Sequence, residues 1–107
     1  IPCSMGTAAR IAAGISGNLI ERAADVTLKE RRPLVLVPRE SPLNRIHLRT
    51  LLELHDAGAV ILPAMPSFYH LPVTIDDLVD SVVDRTLAVF YGNDAIRNRW
   101  HPQGGRP

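Results

Sequence analysis

Leu34-Val35-Leu36-Val37 has the apolar continuity of a buried parallel strand, and it stops at Pro38-Arg39-Glu40, where a cation stands beside an anion. In open α/β sheets ligands bind beyond the carboxyl ends of the strands, so Arg39 and Glu40 are expected at the mouth of a cleft. Glu40 can serve there as a general acid or base whose ionisation the neighbouring cation tunes. The two can equally form a structural ion pair, and the residues alone leave both readings open. A second cluster follows Ile1-Pro2-Cys3, which reads as the end of a strand. Ser4-Met5-Gly6-Thr7 sets two hydroxyls, a glycine and free backbone donors at a helix start, a geometry suited to a phosphate or to the polar edge of a ring. Helix capping needs only one of these hydroxyls and accounts for the segment as well. Lys29, Arg39, Tyr69 and Arg85 supply cations and a hydroxyl for an anion site, although each taken singly is also an ordinary solvated or salt-bridged side chain.

Other chemistries find less support. Cys3 beside Ser4 suggests a nucleophile, but no histidine lies at an interpretable offset and no triad can be assembled. His47, His55, His70 and His101 match no metal-ligand spacing and read as surface or packing residues. Pro66-Ser67-Phe68-Tyr69 is a rigid aromatic loop that either covers a hydrophobic ligand or plugs a subunit interface, and Trp100 carries the same two readings.

The elements that must position these residues follow from periodicity and punctuation. A helical stretch from Ala8 to Ala13 is expected to end at Gly14, and Asn18 to cap a helix from Leu19 to Arg31 with Leu19, Ile20, Ala23, Ala24 and Leu28 on its inner face. Leu34 to Val37 is the first complete strand. Ser41-Pro42 then reads as the cap and first position of a helix reaching Ala57, with Leu48, Leu51, Leu52 and His55 turned inward and Gly58 as its terminator. Ala59 to Leu62 is the next strand, Pro63 to Pro72 an extended loop, and Thr74 the cap of a last helix striped by Ile75, Leu78, Val79, Val82, Val83, Leu87 and Phe90. Asp76 and Asp77 in its first turn suit the helix dipole.

Strands alternating with helices through short connections argue for an α/β fold with a parallel sheet flanked by helices. Two strands and a stub are too few for a self-sufficient doubly wound sheet, so the expectation is the carboxyl-terminal half of a Rossmann- or flavodoxin-like domain. The chain has 107 residues, 46% of them apolar, and a net charge of +1 with acids and bases interspersed. That balance carries neither a nucleic-acid footprint nor a membrane-surface patch. No apolar run approaches the roughly 20 residues of a bilayer span. One cysteine excludes an internal disulfide and fits a reducing compartment, so a cytoplasmic location is expected.

Four segments together resemble the UbiX/Pad-type flavin prenyltransferases of the homo-oligomeric flavin-containing Cys decarboxylase superfamily. They are Pro2-Cys3-Ser4-Met5-Gly6-Thr7, Arg22-Ala23-Ala24-Asp25-Val26 with Leu28-Lys29-Glu30, Val37-Pro38-Arg39-Glu40-Ser41-Pro42-Leu43 with His47-Leu48, and Pro63-Ala64-Met65-Pro66-Ser67-Phe68-Tyr69. The similarity covers roughly residues 1 to 92, expected as the flavoprotein part, with 93 to 107 as a carboxyl-terminal tail. It implies a metal-independent transferase that joins a dimethylallyl group from dimethylallyl monophosphate to reduced FMN, first at flavin N5 and then at C6. The prenylated FMN is expected to serve a UbiD-type decarboxylase in ubiquinone synthesis or aromatic acid metabolism. By the same resemblance Ser4, Met5, Gly6, Thr7 and Arg39 contact FMN, and Lys29, Tyr69 and Arg85 hold the prenyl phosphate. Lys29 there stabilises the departing phosphate, and Glu40 takes a catalytic acid/base position.

The flavin-dependent cysteine decarboxylases share the fold but show Pro-Ala-Ser-Ala-Asn-Thr where this chain has Pro-Cys-Ser-Met-Gly-Thr, and lack Arg-Glu-Ser-Pro-Leu. A non-catalytic FMN-binding or assembly subunit is the other alternative. Family members begin with a strand and a Gly-rich, Ser-containing loop that seats the FMN phosphate, and these 107 residues contain no such segment. An amino-terminal half is therefore an expected partner, without which tight flavin binding and turnover are not expected. The family builds its site where subunits meet in trimers that assemble into dodecamers.

Overall fold

Parallel pairing of very short strands organises the first part of the chain. The computed structural model describes residues 1–96, which divide into a unit spanning Ile1–Pro63 and a second beginning at Ala64. In the first unit the order is α1 (Met5–Ala12), α2 (Leu19–Lys29), β1 (Val35–Leu36), α3 (Arg45–Asp56) and β2 (Val60–Ile61). β1 and β2 run parallel with Val35 opposite Val60 and Leu36 opposite Ile61. Flanking bonds, Val60 N–H to the Leu34 carbonyl at 2.8 Å and Leu62 N–H to the Leu36 carbonyl at 2.9 Å, extend the pairing over most of the expected strand residues. On the other edge of β1, Cys3 bridges Pro38 in parallel, its amide donating to the Val37 carbonyl at 2.9 Å. The α/β class with a parallel sheet and flanking helices is as expected.

The core gathers Cys3, Met5, Ala8, Ile11, Ala24, Leu36, Leu54 and Ala59. Met5, Ala8 and Ile11 recur every third residue and so form the inner face of α1, which packs on α2 and α3. Ala8 and Ala24 carry no bulk, which lets the helices approach closely.

Several boundaries and faces differ from the sequence reading. α1 starts at Met5 rather than Ala8, because Ser4 caps it, accepting from the Thr7 amide. α2 stops at Lys29, two residues early, where Arg31 turns left-handed at φ 57° and closes the helix end. Its inner face is Glu21, Ala24 and Leu28, while Leu19 and Ile20 are 82% and 74% exposed. Two polar anchors rotate the helix that way: Asn18 Oδ1 accepts the Glu21 amide at 2.9 Å, and the Glu21 carboxylate is taken by Arg10 of α1. The cap of α3 is Asn44, not Ser41, because Asn44 and His47 satisfy each other's amides in a capping box. Thr50 and Leu54 are its buried residues, with Leu51 half-buried, whereas Leu48, Leu52 and His55 stand exposed.

In the second unit residues 64–72 form the expected loop, tied to α4 (Ile75–Tyr91) by the Ser67 amide donating to Ser81 Oγ at 3.0 Å. Thr74 and Asp77 make a capping box at its start, and Gly92, at φ 85°, follows its last turn. Two of the seven residues of the expected stripe turn inward, and Val83 and Leu87 are among the exposed ones. Leu78 and Val82 are half-buried, but Ile75, Val79 and Phe90 are 50% or more exposed, and the buried residue of the helix is Asp84. Among the described residues of this unit, the loop and a 3-10 turn at Asn93–Ala95 are what can cover seventeen residues of helix. Of the expected tail that turn begins the description; Arg97, Arg99, Trp100 and His101 lie outside the described residues. Among the described residues no helix is long and apolar enough to cross a membrane.

Two outcomes test this packing. Leu54, 1% exposed, is expected to cost about 2–5 kcal/mol on replacement by alanine, measured by denaturant unfolding. Amides of Val73 and Thr74 donating to Asp77 hold its carboxyl below the ordinary range. A carboxylate depressed in the folded state adds stability above its unfolded pKa of about 4 and loses it as pH falls through the folded value. Unfolding at stepped pH should show the unsubstituted chain losing more stability on acidification than Asp77→Asn; parallel profiles would contradict the assignment.

Candidate functional site

The bridge between Cys3 and Pro38 sets two chain segments side by side, and each leaves the sheet at its next residue. Ser4 through Thr7 leave one segment; Arg39 and Glu40, both exposed, leave the other. The hydroxyl cluster and the charged pair therefore stand at the same carboxyl edge of the same sheet. Ser4 Oγ accepts the Thr7 amide at 3.1 Å and lies 3.0 Å from Thr7 Oγ1. Ser4 is the helix cap, and a second hydroxyl is gathered beside it. Met5 points into the core, so its contribution to an edge site is limited to its backbone and neighbours, while Gly6 is exposed.

Behind these hydroxyls lies a network that sequence reasoning missed. Arg10 Nη2 donates to Thr7 Oγ1 at 3.3 Å, and Arg10 Nε donates to both carboxylate oxygens of Glu21 at 3.1 Å. Arg10 follows Thr7 by three, a helical spacing that would have signalled the contact. Nothing in the sequence marks Glu21 as a residue only 1% exposed.

Lys29 stands elsewhere in this unit. It is the last residue of α2, which leads into the amino end of β1, and it lines an open groove of about 600 Å³ with Arg31, Arg32, Asp56 and Gly58. The sheet thus separates it from Ser4 and Arg39 within one copy. Tyr69 and Arg85 belong to the second unit, where they line one small cleft with Ser67, His70 and Asp84. That cleft holds about 20 Å³, room for a water rather than a phosphate. Asp77, Asp80 and Asp84 line it too, which makes its interior unfavourable to an anion, while Tyr69 and Arg85 reach solvent at its rim. His70 is buried there with Nδ1 unpartnered among the described residues.

Burial pushes the Cys3 thiol above its usual pKa, so little thiolate exists at neutral pH and a nucleophilic role has no support. Among the described residues no group of three or more His, Cys, Asp or Glu is placed to hold a metal ion.

The sheet edge with its hydroxyls and the helices behind it define a flavoprotein-type α/β unit, and comparison with known proteins agrees. The Flavoprotein family profile matches residues 1–87, and the chain belongs to that family. It is 58% identical over 100 residues to the flavin prenyltransferase UbiX of Halalkalibacterium halodurans, covering 94% of this chain and 48% of that protein. It is 57% identical over 102 residues to the UbiX of Pseudomonas aeruginosa, covering 95% and 49%. The chain thus spans about half the length of the curated relatives it matches. Among solved structures, AnUbiX in complex with FMN and dimethylallyl pyrophosphate superposes with a TM-score of 0.87 at 51% identity, over 94% of this chain and 53% of that one. A dodecameric FMN-dependent UbiX-like decarboxylase from Escherichia coli O157:H7 gives a TM-score of 0.83 at 55% identity, over 85% and 50%.

The buried thiol supplies a direct check. Cys3 is expected to react with iodoacetamide at neutral pH at least about tenfold more slowly in the folded chain than after denaturation; equal rates would place it at the surface.

Proposed function

We propose that this chain forms the carboxyl-terminal part of a flavin prenyltransferase, which moves a dimethylallyl group from dimethylallyl monophosphate to reduced FMN. The observation that carries the reading is the shared sheet edge of the Ser4–Thr7 hydroxyls and Arg39–Glu40, in a chain more than half identical to named flavin prenyltransferases. Exposed hydroxyls, the α1 amino terminus and a guanidinium fit the polar edge of a flavin. Reduced FMN supplies the electron-rich ring that accepts the allyl group. Ser4, Thr7 and Arg39 orient that ring, Met5 and Gly6 contributing backbone.

Breaking the allylic carbon–oxygen bond develops negative charge on the phosphate, which Lys29 and Arg85 with the Tyr69 hydroxyl stabilise. Such stabilisation by fixed cations lets the transfer run without a metal. Glu40 takes up the proton released from flavin C6. Lys29 sits at the far end of the sheet, which supports its entering the site from another copy. Self-association into trimers and dodecamers has the further support of apolar side chains left exposed on α3 and α4, Leu48, Leu52, Ile75, Val79 and Phe90 among them. The product passes to a UbiD-type decarboxylase in the cytoplasm.

The test joins the amino-terminal half of the Pseudomonas aeruginosa relative to residue 1. This chimera is given reduced FMN without oxygen and either dimethylallyl monophosphate or the diphosphate. Mass spectrometry should find flavin heavier by one five-carbon unit, with the monophosphate preferred. Carbon dioxide released from an aromatic acid with the flavin unaltered would instead favour a decarboxylase. Glu40→Gln should keep FMN binding and slow prenylation on the order of 100-fold; equal loss of both would remove it from catalysis. Arg85→Ala should raise the KM for the prenyl donor about tenfold or more, since it deletes an ionic contact to a dianion. Unchanged saturation would remove that role.

A further inference from the structure

We propose that Arg10 and Glu21 are a positioning pair that fixes the Ser4–Thr7 hydroxyls so that they present one outward O–H donor to an acceptor atom of bound FMN. The proposal rests on the flavin reading above and assigns a role to residues outside the expected site.

Proton bookkeeping leads to it. An arginine only donates, so Thr7 Oγ1, 3.3 Å from Arg10 Nη2, must spend a lone pair on it. Ser4 Oγ likewise spends a lone pair on the Thr7 amide at 3.1 Å. The two hydroxyls carry two protons, and one of them fills the 3.0 Å bond between them. The other meets no protein acceptor among the described residues. With two donors feeding the pair from behind, that remaining proton faces the open edge of the sheet and selects an acceptor, such as a ring carbonyl or a phosphate oxygen. Of the four lone pairs one stays free, on Ser4 Oγ, because Ser4 donates to Thr7; Thr7 Oγ1 has both of its lone pairs taken and can only donate outward, whereas without Arg10 it could accept as well.

Glu21 explains why Arg10 holds its place. A long side chain that is 47% exposed would otherwise sample many rotamers, but both oxygens of a carboxylate 1% exposed grip its Nε at 3.1 Å. Glu21 is itself fixed at the start of α2, its amide on the Asn18 cap and its carboxylate beneath Gly17, where a β-carbon would lie 3.3 Å from Oε1. A buried ion pair is a poor source of stability compared with apolar packing of similar volume. Its distinctive product here is direction.

The experiment exploits that difference, using the chimera described above with oxidised FMN titrated by fluorescence quenching. Replacing both partners, Arg10→Met with Glu21→Leu, leaves no unpaired buried charge and should keep the fold by circular dichroism. FMN should bind about tenfold more weakly, the loss expected for one fixed hydrogen bond. In a Thr7→Val background the same exchange should change affinity less than about twofold, because the pair then has no hydroxyl to direct. Arg10→Lys keeps a cation for Glu21 but lacks the second donor arm; it should also weaken FMN binding, and it carries the test should the apolar pair fail to fold. Full FMN affinity in the folded apolar pair or in Arg10→Lys, or an equal loss with and without the Thr7 hydroxyl, overturns the proposal. Absence of FMN binding by the unsubstituted chimera overturns the flavin reading itself.

Discussion

A single backbone hydrogen bond, the Cys3 amide donating to the Val37 carbonyl, decides where the candidate chemistry lies. It holds the Cys3 segment parallel to β1 in a register that makes both segments end together. Slipping that register by one residue would invert which side chains face the core, exposing Cys3 or burying Ser4. The burial of Cys3, Val37 and Pro38 beside the exposure of Ser4, Arg39 and Glu40 therefore specifies the register. The candidate residues follow the sheet edge because that is where backbone donors are released from pairing and the helix that follows is free to present its first turn.

Polar contacts orient the helices as much as apolar ones do. α1 is held by an ordinary hydrophobic face, but α2 is rolled so that a glutamate goes inward while leucine and isoleucine go out. The arrangement is sustainable because Glu21 is fully engaged: its amide is capped by Asn18 and both oxygens accept from Arg10. The same contact that buries the charge reaches the hydroxyls on α1, so helix packing and the geometry of the sheet edge are set by one network.

Strand positions, helix order and the caps at Asn18 and Thr74 were legible because each rests on a local rule: apolar continuity, turn residues, or an oxygen three residues ahead of an amide. Ser4–Thr7 and Arg39–Glu40 were legible as edge residues for the same reason. What failed were helix faces. In α3 leucines occupy both sides, so periodicity nominated Leu48 and Leu52 while packing chose Thr50 and Leu54. In α2 the apolar pattern pointed to Leu19 and Ile20, and a charge pair eleven residues apart in sequence overrode it. The cap of α3 was misplaced because serine-proline is a strong helix-start pattern, yet the reciprocal bonds of Asn44 and His47 satisfy two amides instead of one.

One of the misread residues, Ile20, lies beside the candidate site. Ile20 borders an apolar groove of about 310 Å³ along the sheet, with Ile1, Cys3, Ile11 and Leu36, and Thr7 borders it as well. Apolar surface of this kind normally marks a place where something else packs. Because Thr7 is also the hydroxyl that Arg10 addresses, the groove and the hydroxyl cluster share a border. Apolar surface at Ile20 and the buried charge of Glu21 thus stand on neighbouring residues of one helix, the first bordering the groove and the second holding Arg10 against Thr7.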